Sequence, residues 1–417
     1  MNIGYACLAL GVPGSEMKSC TRKNATEERL LSLIGHNLDA LNTMIEYNIR
    51  NGIRLFRISS DLVPFGSSLA AELPWRTMYG DVLATIGCKI RNAGMRVSMH
   101  PGQYTVLNSP DGSVARRAVE DLEYHAKVLH SLGLGTEHKI VLHLGGAYGD
   151  KRQAIKRFIS RYTELRPEVR DRLVLENDHR LFGIGDVLKT AIKVGIPVVY
   201  DNLHNAVNPT EESCTDLDWI KRCGETWTTN GGPQKVHYSQ QHTQKKPGAH
   251  SDSIEVDGFL AFCQQLPARE LDIMLEVKDK NLSALKCLNC ISRRGISSLE
   301  AEWARYKYSI LERSPHNYDA IRGLLREKDT YPAVEMYRLI EMSLSVPPTT
   351  GNAVNAAQHV WGYFKDRVSE SDKARFQRAV HKFWLGETDL RSVKSTLLTL
   401  ARKYQEEYLL TGYYLYL

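Results

Sequence analysis

At 417 residues and 42% hydrophobic content, the chain has room for a barrel-sized domain of about 250 residues and a second, smaller unit. No stretch approaches the roughly 18 uninterrupted apolar residues of a membrane span, and the opening MNIGYACLALGVPG lacks the basic region of a signal peptide, so a cytoplasmic protein with no membrane partner is expected. A net charge of +6 admits phosphate-rich partners without requiring them, and the eight cysteines are scattered with no disulfide-scaffold pattern.

The first β-type run is NIGYAC, followed by a polar loop and a helical pattern from about Thr26 to Asn51, with leucine and isoleucine at three- and four-residue spacing. RLFRISS reads as the second strand, and a helix from about Pro74 to Ala93 leads to MRVSMH. KIVLH, LVLE, PVVYD, KVH and IMLE follow, separated in part by helices near Val114–Leu132, Lys151–Glu164, Gly185–Val194 and Asp257–Gln265. This alternation predicts a parallel sheet with helices outside it. The segment after the first strand, CLALGVPGSE, does not fit the glycine-rich loop of an open doubly wound sheet. Eight runs therefore predict an α/β fold, a (β/α)8 TIM barrel over residues 1–298. Residues 299–417 carry no β runs and predict an additional C-terminal α-helical domain. SVPPTTGN (345–352) and WLGETD (384–389) break its helices, and NAAQHVWGYFKDRVSESDKARFQRAVHKFW is read as a single helical stretch between them.

Six successive strands end in a residue able to bind a metal: His100, His143, Glu176, Asp201, His237 and Glu276. A barrel gathers such C-terminal strand ends at one mouth. A carboxylate at the end of an apolar run is costly to bury without a partner, so six in register point to a metal cluster. Divalent ions a few ångströms apart can clamp both the attacking and the leaving oxygen of a phosphodiester displacement, with carboxylates bridging and imidazoles fixing the geometry. His204 and His250 follow nearby, whereas His36, His125, His130, His138, His179 and His242 read as surface or packing residues. Lys235 alternates onto the same face as His237, toward the cluster. It is read either as a carbamylated lysine supplying an anionic oxygen or as a contact to substrate phosphate. The single CLNC pair, Cys287 and Cys290, lacks the further ligands of a structural zinc site.

The motifs RLFRISSDLVPF, HPGQYTVLNSP, VLHLGGAYGDK, LVLENDH, YDNLHN, KVHYSQQ, GAHSDSIEVD and DIMLEVKDK, in this order over residues 1–290, resemble the UV damage endonuclease family. That family shares its barrel superfamily with endonuclease IV and xylose isomerase. The resemblance implies a metal-dependent endonuclease acting on double-stranded DNA. It would nick 5′ to pyrimidine dimers, 6–4 photoproducts and abasic sites. It implies two or three divalent ions, most often Mn2+. His100, His143 and Glu176 would hold one; Glu176 would bridge to a second with Asp201, His237 and Glu276; His204 and His250 would serve a third. It also places Glu176, Lys235 and His237 in the catalytic machinery and sets Gln103 and Tyr104 as a wedge in the duplex. Tyr5 is read either as a wall of the lesion pocket or as core packing. Gly248 stands where endonuclease IV has an acidic third-site ligand, a place that Asp252 or modified Lys235 would fill. Arg57, Lys151, Arg152, Lys245 and Lys246 are candidates for phosphate contacts. The C-terminal region resembles a helical domain of unknown function; its 17 basic and 14 acidic residues over 301–417 suit a protein partner as well as the barrel. The rival readings are a metal-dependent sugar isomerase or epimerase of the same superfamily and a non-catalytic lesion-binding protein.

Overall fold

Eight parallel strands close into a barrel in the computed structural model, which describes residues 1–210, 213–228, 231–266 and 271–417. The strands are β1 (Asn2–Ala6), β2 (Leu55–Arg57), β3 (Arg96–Met99), β4 (Lys139–His143), β5 (Leu173–Glu176), β6 (Val198–Asp201), β7 (Gln234–Tyr238) and β8 (Leu271–Leu275). Each pairs with the next in sequence, and β8 pairs back to β1 with Gly4 opposite Met274. This is the TIM-barrel order that the alternation of runs predicts.

Local chemistry sets the helix ends. The first long helix runs Glu27–Arg50, with the Thr26 side chain accepting the Arg29 amide at its N-cap. The helix expected over Pro74–Ala93 is instead two, Trp75–Met78 and Gly80–Asn92. Among the described residues no helix is long and apolar enough to cross a membrane.

The barrel floor is polar. Arg96 pairs with Asp272 at 2.8 Å, both buried, and its Nε donates to the Glu137 carbonyl at 2.9 Å. Asn2 donates to the other Asp272 oxygen at 2.8 Å, so the carboxylate is satisfied on both sides. Closure also needs a close approach of β1 to β2: a Cβ on Gly4 would lie 2.3 Å from the Leu55 carbonyl oxygen. Backbone cannot yield as a side chain does, so Gly4→Ala should destabilise the barrel by about 1–3 kcal/mol or more. Thermal unfolding by circular dichroism would show this, and an unchanged melting temperature would refute the close-approach account.

By contact density the chain divides into two units: Met1–Ala9, Gly14–Ile254 and Ala261–Leu285 form the first, and Leu10–Pro13, Glu255–Leu260 and Lys286–Leu417 the second. The second unit contains helices Ile296–Leu311, Pro315–Leu324, Ala333–Leu344, Thr350–Trp361, Glu370–Trp384, Leu390–Lys403 and Glu407–Thr411. The long stretch read as one helix is thus broken after Trp361. Ser369 restarts it as an N-cap, its hydroxyl accepting the Asp372 amide. The break lets Trp361 stack on Phe376 with ring centroids 4.4 Å apart, in a core with Val360, Phe364, Leu397 and Leu400. Cys287 and Cys290 are free thiols, and burial pushes the Cys290 pKa up to about 12, away from a reactive thiolate.

A carboxylate and histidine cluster at the barrel mouth

Glu176, the last residue of β5, is fully buried and is the hub of the mouth. His100 Nε2 lies 2.9 Å from its Oε2, and His237 Nδ1 lies 2.8 Å from its Oε1. His143 Nε2 is 3.6 Å from Oε2 and His204 Nδ1 is 3.7 Å from Oε1. His237 Nδ1 also reaches Glu276 at 3.2 Å, and His250 Nε2 stands 3.7 Å from the second Glu276 oxygen. All eight residues expected as ligands therefore meet at one end of the barrel.

Among the described residues, three sets have donor atoms close enough to share an ion: His100, His143 and Glu176; Glu176, Asp201 and His204; and Glu176, His237 and Glu276. Glu176 is common to all three. The expected second set is divided, because Asp201 groups with His204. Its Oδ1 caps the short helix Asn202–Val207, accepting the His204 amide at 2.7 Å, which draws the carboxylate toward that ring.

The loops around the cluster are built to hold it. Asn177 and Asp201 exchange backbone and side-chain hydrogen bonds of 3.0 and 2.9 Å, tying the end of β5 to that of β6. Ser60 donates to the His100 carbonyl at 3.0 Å and is itself held by buried His125 at 2.9 Å. His250 is carried on a turn in which it bridges to Gln241 and His242 N–H donates to the Ala249 carbonyl.

The electrostatics favour a cation. Burial would raise the Glu176 pKa, but the His237 and His143 imidazoles and the hydrogen bonds from His100 and His237 hold it well below the usual carboxylate range. Burial, aided by Glu176 and Glu276, raises Asp201. Burial also lowers His100 to about 4, keeping the neutral imidazole that a metal requires. His204 moves the other way, to about 9: burial opposes its charge, but Asp201, Glu176 and Glu276 outweigh it. Arg57, paired with Glu276, supplies positive charge beside these buried acids. Asp201 Oδ2 and His237 Nε2 are buried with no hydrogen-bond partner among the described residues. The donor set and these two free atoms fit divalent ions.

The structure bears on several sequence expectations. Tyr5 is fully buried, packs edge-on against Phe56 and donates its hydroxyl to Asn48 at 2.8 Å. It pairs with Leu275, the neighbour of Glu276, so the pleat turns it toward helix Glu27–Arg50 and it is no wall of the cleft. Lys235 is fully buried and its Nζ has no hydrogen-bond partner among the described residues. Burial and Arg96 push its pKa well down. Because it does not line the cleft, the alternative of a direct phosphate contact falls. Arg57, a candidate phosphate contact, ends β2 and pairs with Glu276. Lys151 sits 3.1 Å from Asp186. Asp252, 70% exposed, pairs with Lys278 at 2.7 Å and His242 at 3.3 Å rather than with the cluster.

His179, expected to be a surface or packing residue, belongs to the site. It lines the cleft, 5.3 Å from the His204 ring, and its ring would crowd a Cβ on Gly248. Asp178 aims it there by accepting three backbone amides, from Arg180, Leu181 and Phe182. Its position three residues beyond Glu176, in a loop at the same mouth, was the available signal.

The cleft has a volume of about 690 Å3 and is lined by His100, Gln103, His143, Tyr148, His179, His204, His250 and Glu276 among others. Tyr104, next to Gln103, is 69% exposed. Its loop is fastened by Thr105, whose hydroxyl donates to Asp121 at 2.6 Å, and by Arg161, which donates to the Leu107 and Ser109 carbonyls.

Residues 2–304 match the family described as UV-endonuclease UvdE, and residues 307–417 match a protein family of unknown function, DUF1722. A UV DNA damage endonuclease of Clostridium perfringens (strain 13 / Type A) is 35% identical over 97% of this chain and 96% of its own length. One of Bacillus cereus (strain Q1) is 32% identical, covering 67% of this chain and 90% of its own. The crystal structure of SacUVDE aligns with a TM-score of 0.66 at 35% identity, over 70% of this chain and 98% of that one.

Proposed function

The chain belongs to the UV-endonuclease UvdE family, and from that premise we propose that it is a DNA-repair endonuclease hydrolysing the phosphodiester 5′ to UV photoproducts. Pyrimidine dimers and 6–4 photoproducts are the proposed substrates, with abasic sites as a further class. The observation that carries this reading is the meeting of three buried carboxylates and five imidazoles beside an exposed, firmly anchored glutamine–tyrosine loop. The catalytic step is assigned to the barrel domain, residues 1–298.

We assign His100, His143, Glu176, Asp201, His204, His237, His250 and Glu276 to two or three divalent ions, Mn2+ by preference. When bound, these supply charge neutralisation at a phosphodiester and acidify water for attack. The protein's own part is positional. Glu176 orients His100 and His237 through its two oxygens. Arg57 pairs with the Glu276 oxygen that His237 also reaches. Gln103 and Tyr104 enter the duplex where two damaged nucleotides turn outward, a step made cheaper by the poor stacking of a crosslinked dimer.

The test is a labelled duplex with a single thymine dimer, incubated with Mn2+. A nick directly 5′ of the dimer, lost on chelation and restored by added metal, supports the proposal. Binding without cleavage would sink it.

Lys235 gives a narrower prediction. Lys235 is buried, its Nζ has no hydrogen-bond partner among the described residues, and burial disfavours its charged form; an unprotonated amine adds CO2 and loses a proton to become a carbamate. Native mass spectrometry of gently prepared protein should show an increment of one CO2, absent in Lys235→Met. Bicarbonate should raise activity of the wild type alone. An unmodified mass at saturating bicarbonate would refute this assignment.

A further inference from the structure

Tyr148 is the second exposed aromatic beside the cleft, and nothing in the reading above uses it. It is 47% exposed, lines the cleft and lies five residues beyond His143. Its backbone is left-handed, with φ of 50°, which is uncommon for a bulky aromatic. The same loop, GGAYGDK, contains three glycines, two of which adopt positive φ themselves. Glycine would serve the turn at position 148 at lower conformational cost, so the tyrosine stands there against the local backbone preference.

The surroundings fix that side chain. A Cβ on Gly146 would lie 2.7 Å from the Tyr148 ring, so the ring packs directly on the Gly146 backbone. Asn108 grips Gly146 on both sides, donating to its carbonyl at 2.7 Å and accepting its amide at 3.1 Å. The Arg157 guanidinium stands 5.6 Å from the ring centroid, and its Nε donates to the Asn108 carbonyl at 2.8 Å. Asn108 and Arg157 therefore join the loop bearing Tyr148 to the loop bearing Gln103 and Tyr104. An aromatic held out of solvent preference, in a strained backbone, and tied to the wedge loop is preorganised for a flat partner.

We propose that Tyr148 is a substrate-positioning residue whose ring packs against a base turned out of the duplex, while Tyr104 remains within it. This rests on the endonuclease reading. Stacking on an aromatic ring tolerates any base, which suits a nucleotide recognised by its displacement rather than its identity.

The experiment compares wild type with Tyr148→Phe, Tyr148→Ala and Tyr148→Gly on a dimer-containing duplex carrying 2-aminopurine beside the lesion. Nicking rate, half-saturating protein concentration, fluorescence and melting temperature are read together. Phe should stay close to wild type. Ala and Gly should raise the half-saturating concentration by roughly tenfold to a hundredfold. Both should alter the 2-aminopurine signal in the complex, and Gly should melt no lower than wild type. Wild-type behaviour of Ala and Gly overturns the proposal. So does a Phe variant as impaired as Ala, which would assign the role to the hydroxyl. A Gly variant with full activity beside an unstable, impaired Ala variant would make the role purely conformational and likewise overturn it. If the wild type itself fails to nick, the endonuclease reading fails and this proposal falls with it; an active wild type with an active Gly variant fails the proposal alone.

Discussion

Glu176→Gln should abolish nicking of a dimer-containing duplex while leaving the fold intact. Glutamine keeps the shape and one acceptor oxygen, so His100 or His237 can still be held. What it lacks is the negative charge that all three candidate ion sites share. A neutral amide would hold divalent ions less tightly there, and loss of the carboxylate charge would remove transition-state stabilisation worth several kcal/mol, a rate reduction on the order of 10^3-fold or more. The thermodynamic signature separates this from misfolding. Wild-type protein should gain melting temperature with added Mn2+, because an ion binding only the folded state stabilises it by about 2.7 kcal/mol at a hundredfold excess over Kd. Glu176→Gln should melt somewhat below the wild-type temperature without metal, since the imidazoles that hold the buried carboxylate ionised lose their partner charge, but should still unfold cooperatively, and should gain little on metal addition. A variant that nicks at a tenth of the wild-type rate, or still gains the full metal-dependent shift, would remove Glu176 from the centre of the site.

The barrel was legible because its determinants are local and repeated. Apolar runs of strand length alternate with helices capped by Thr26, Asp111 and Asp150, and each run ends near a chemically distinctive residue. What sequence spacing does not carry is direction and partnership. Tyr5 sits one position off the inward face, and only the pairing of β1 with β8 reveals that it looks toward Asn48. Arg57 reads as a basic residue free to hold phosphate, yet closure of the barrel brings it to Glu276, 219 residues away in sequence. His179 was passed over because it lies in a loop rather than at a strand end; the Asp178 turn that aims it into the cleft is a matter of three backbone hydrogen bonds. The helical domain is divided more often than its breakers suggest; Ser369, for one, acts as an N-cap inside a sequence whose periodicity continues across the break.

Replacing both Gln103 and Tyr104 by alanine should slow nicking of a fully paired dimer duplex by roughly tenfold to a hundredfold, with little change in stability. The stability half follows from exposure. Tyr104 is 69% exposed and contributes little to the core, and surface changes of this kind usually lie within about 0.5 kcal/mol. The activity half follows from what holds the loop. Thr105 is anchored to Asp121, Arg161 grips two carbonyls, and the Thr105 amide donates to the Gly102 carbonyl at 2.9 Å. Gly102 leaves room for the Tyr104 ring, since a Cβ there would lie 2.4 Å from it. A solvent-facing aromatic with no substrate needs none of this bracing. If the pair enters the duplex to replace lost stacking and pairing, its removal leaves the enzyme to meet an opening cost of a few kcal/mol without compensation. A substrate already open opposite the lesion does not carry that cost. The double variant should therefore recover most of its rate on a duplex with a mismatched bubble facing the dimer, whereas Glu176→Gln should recover nothing there. Equal impairment on paired and bubble substrates would show that the loop serves general DNA affinity, and unimpaired nicking of the paired duplex would end the wedge assignment.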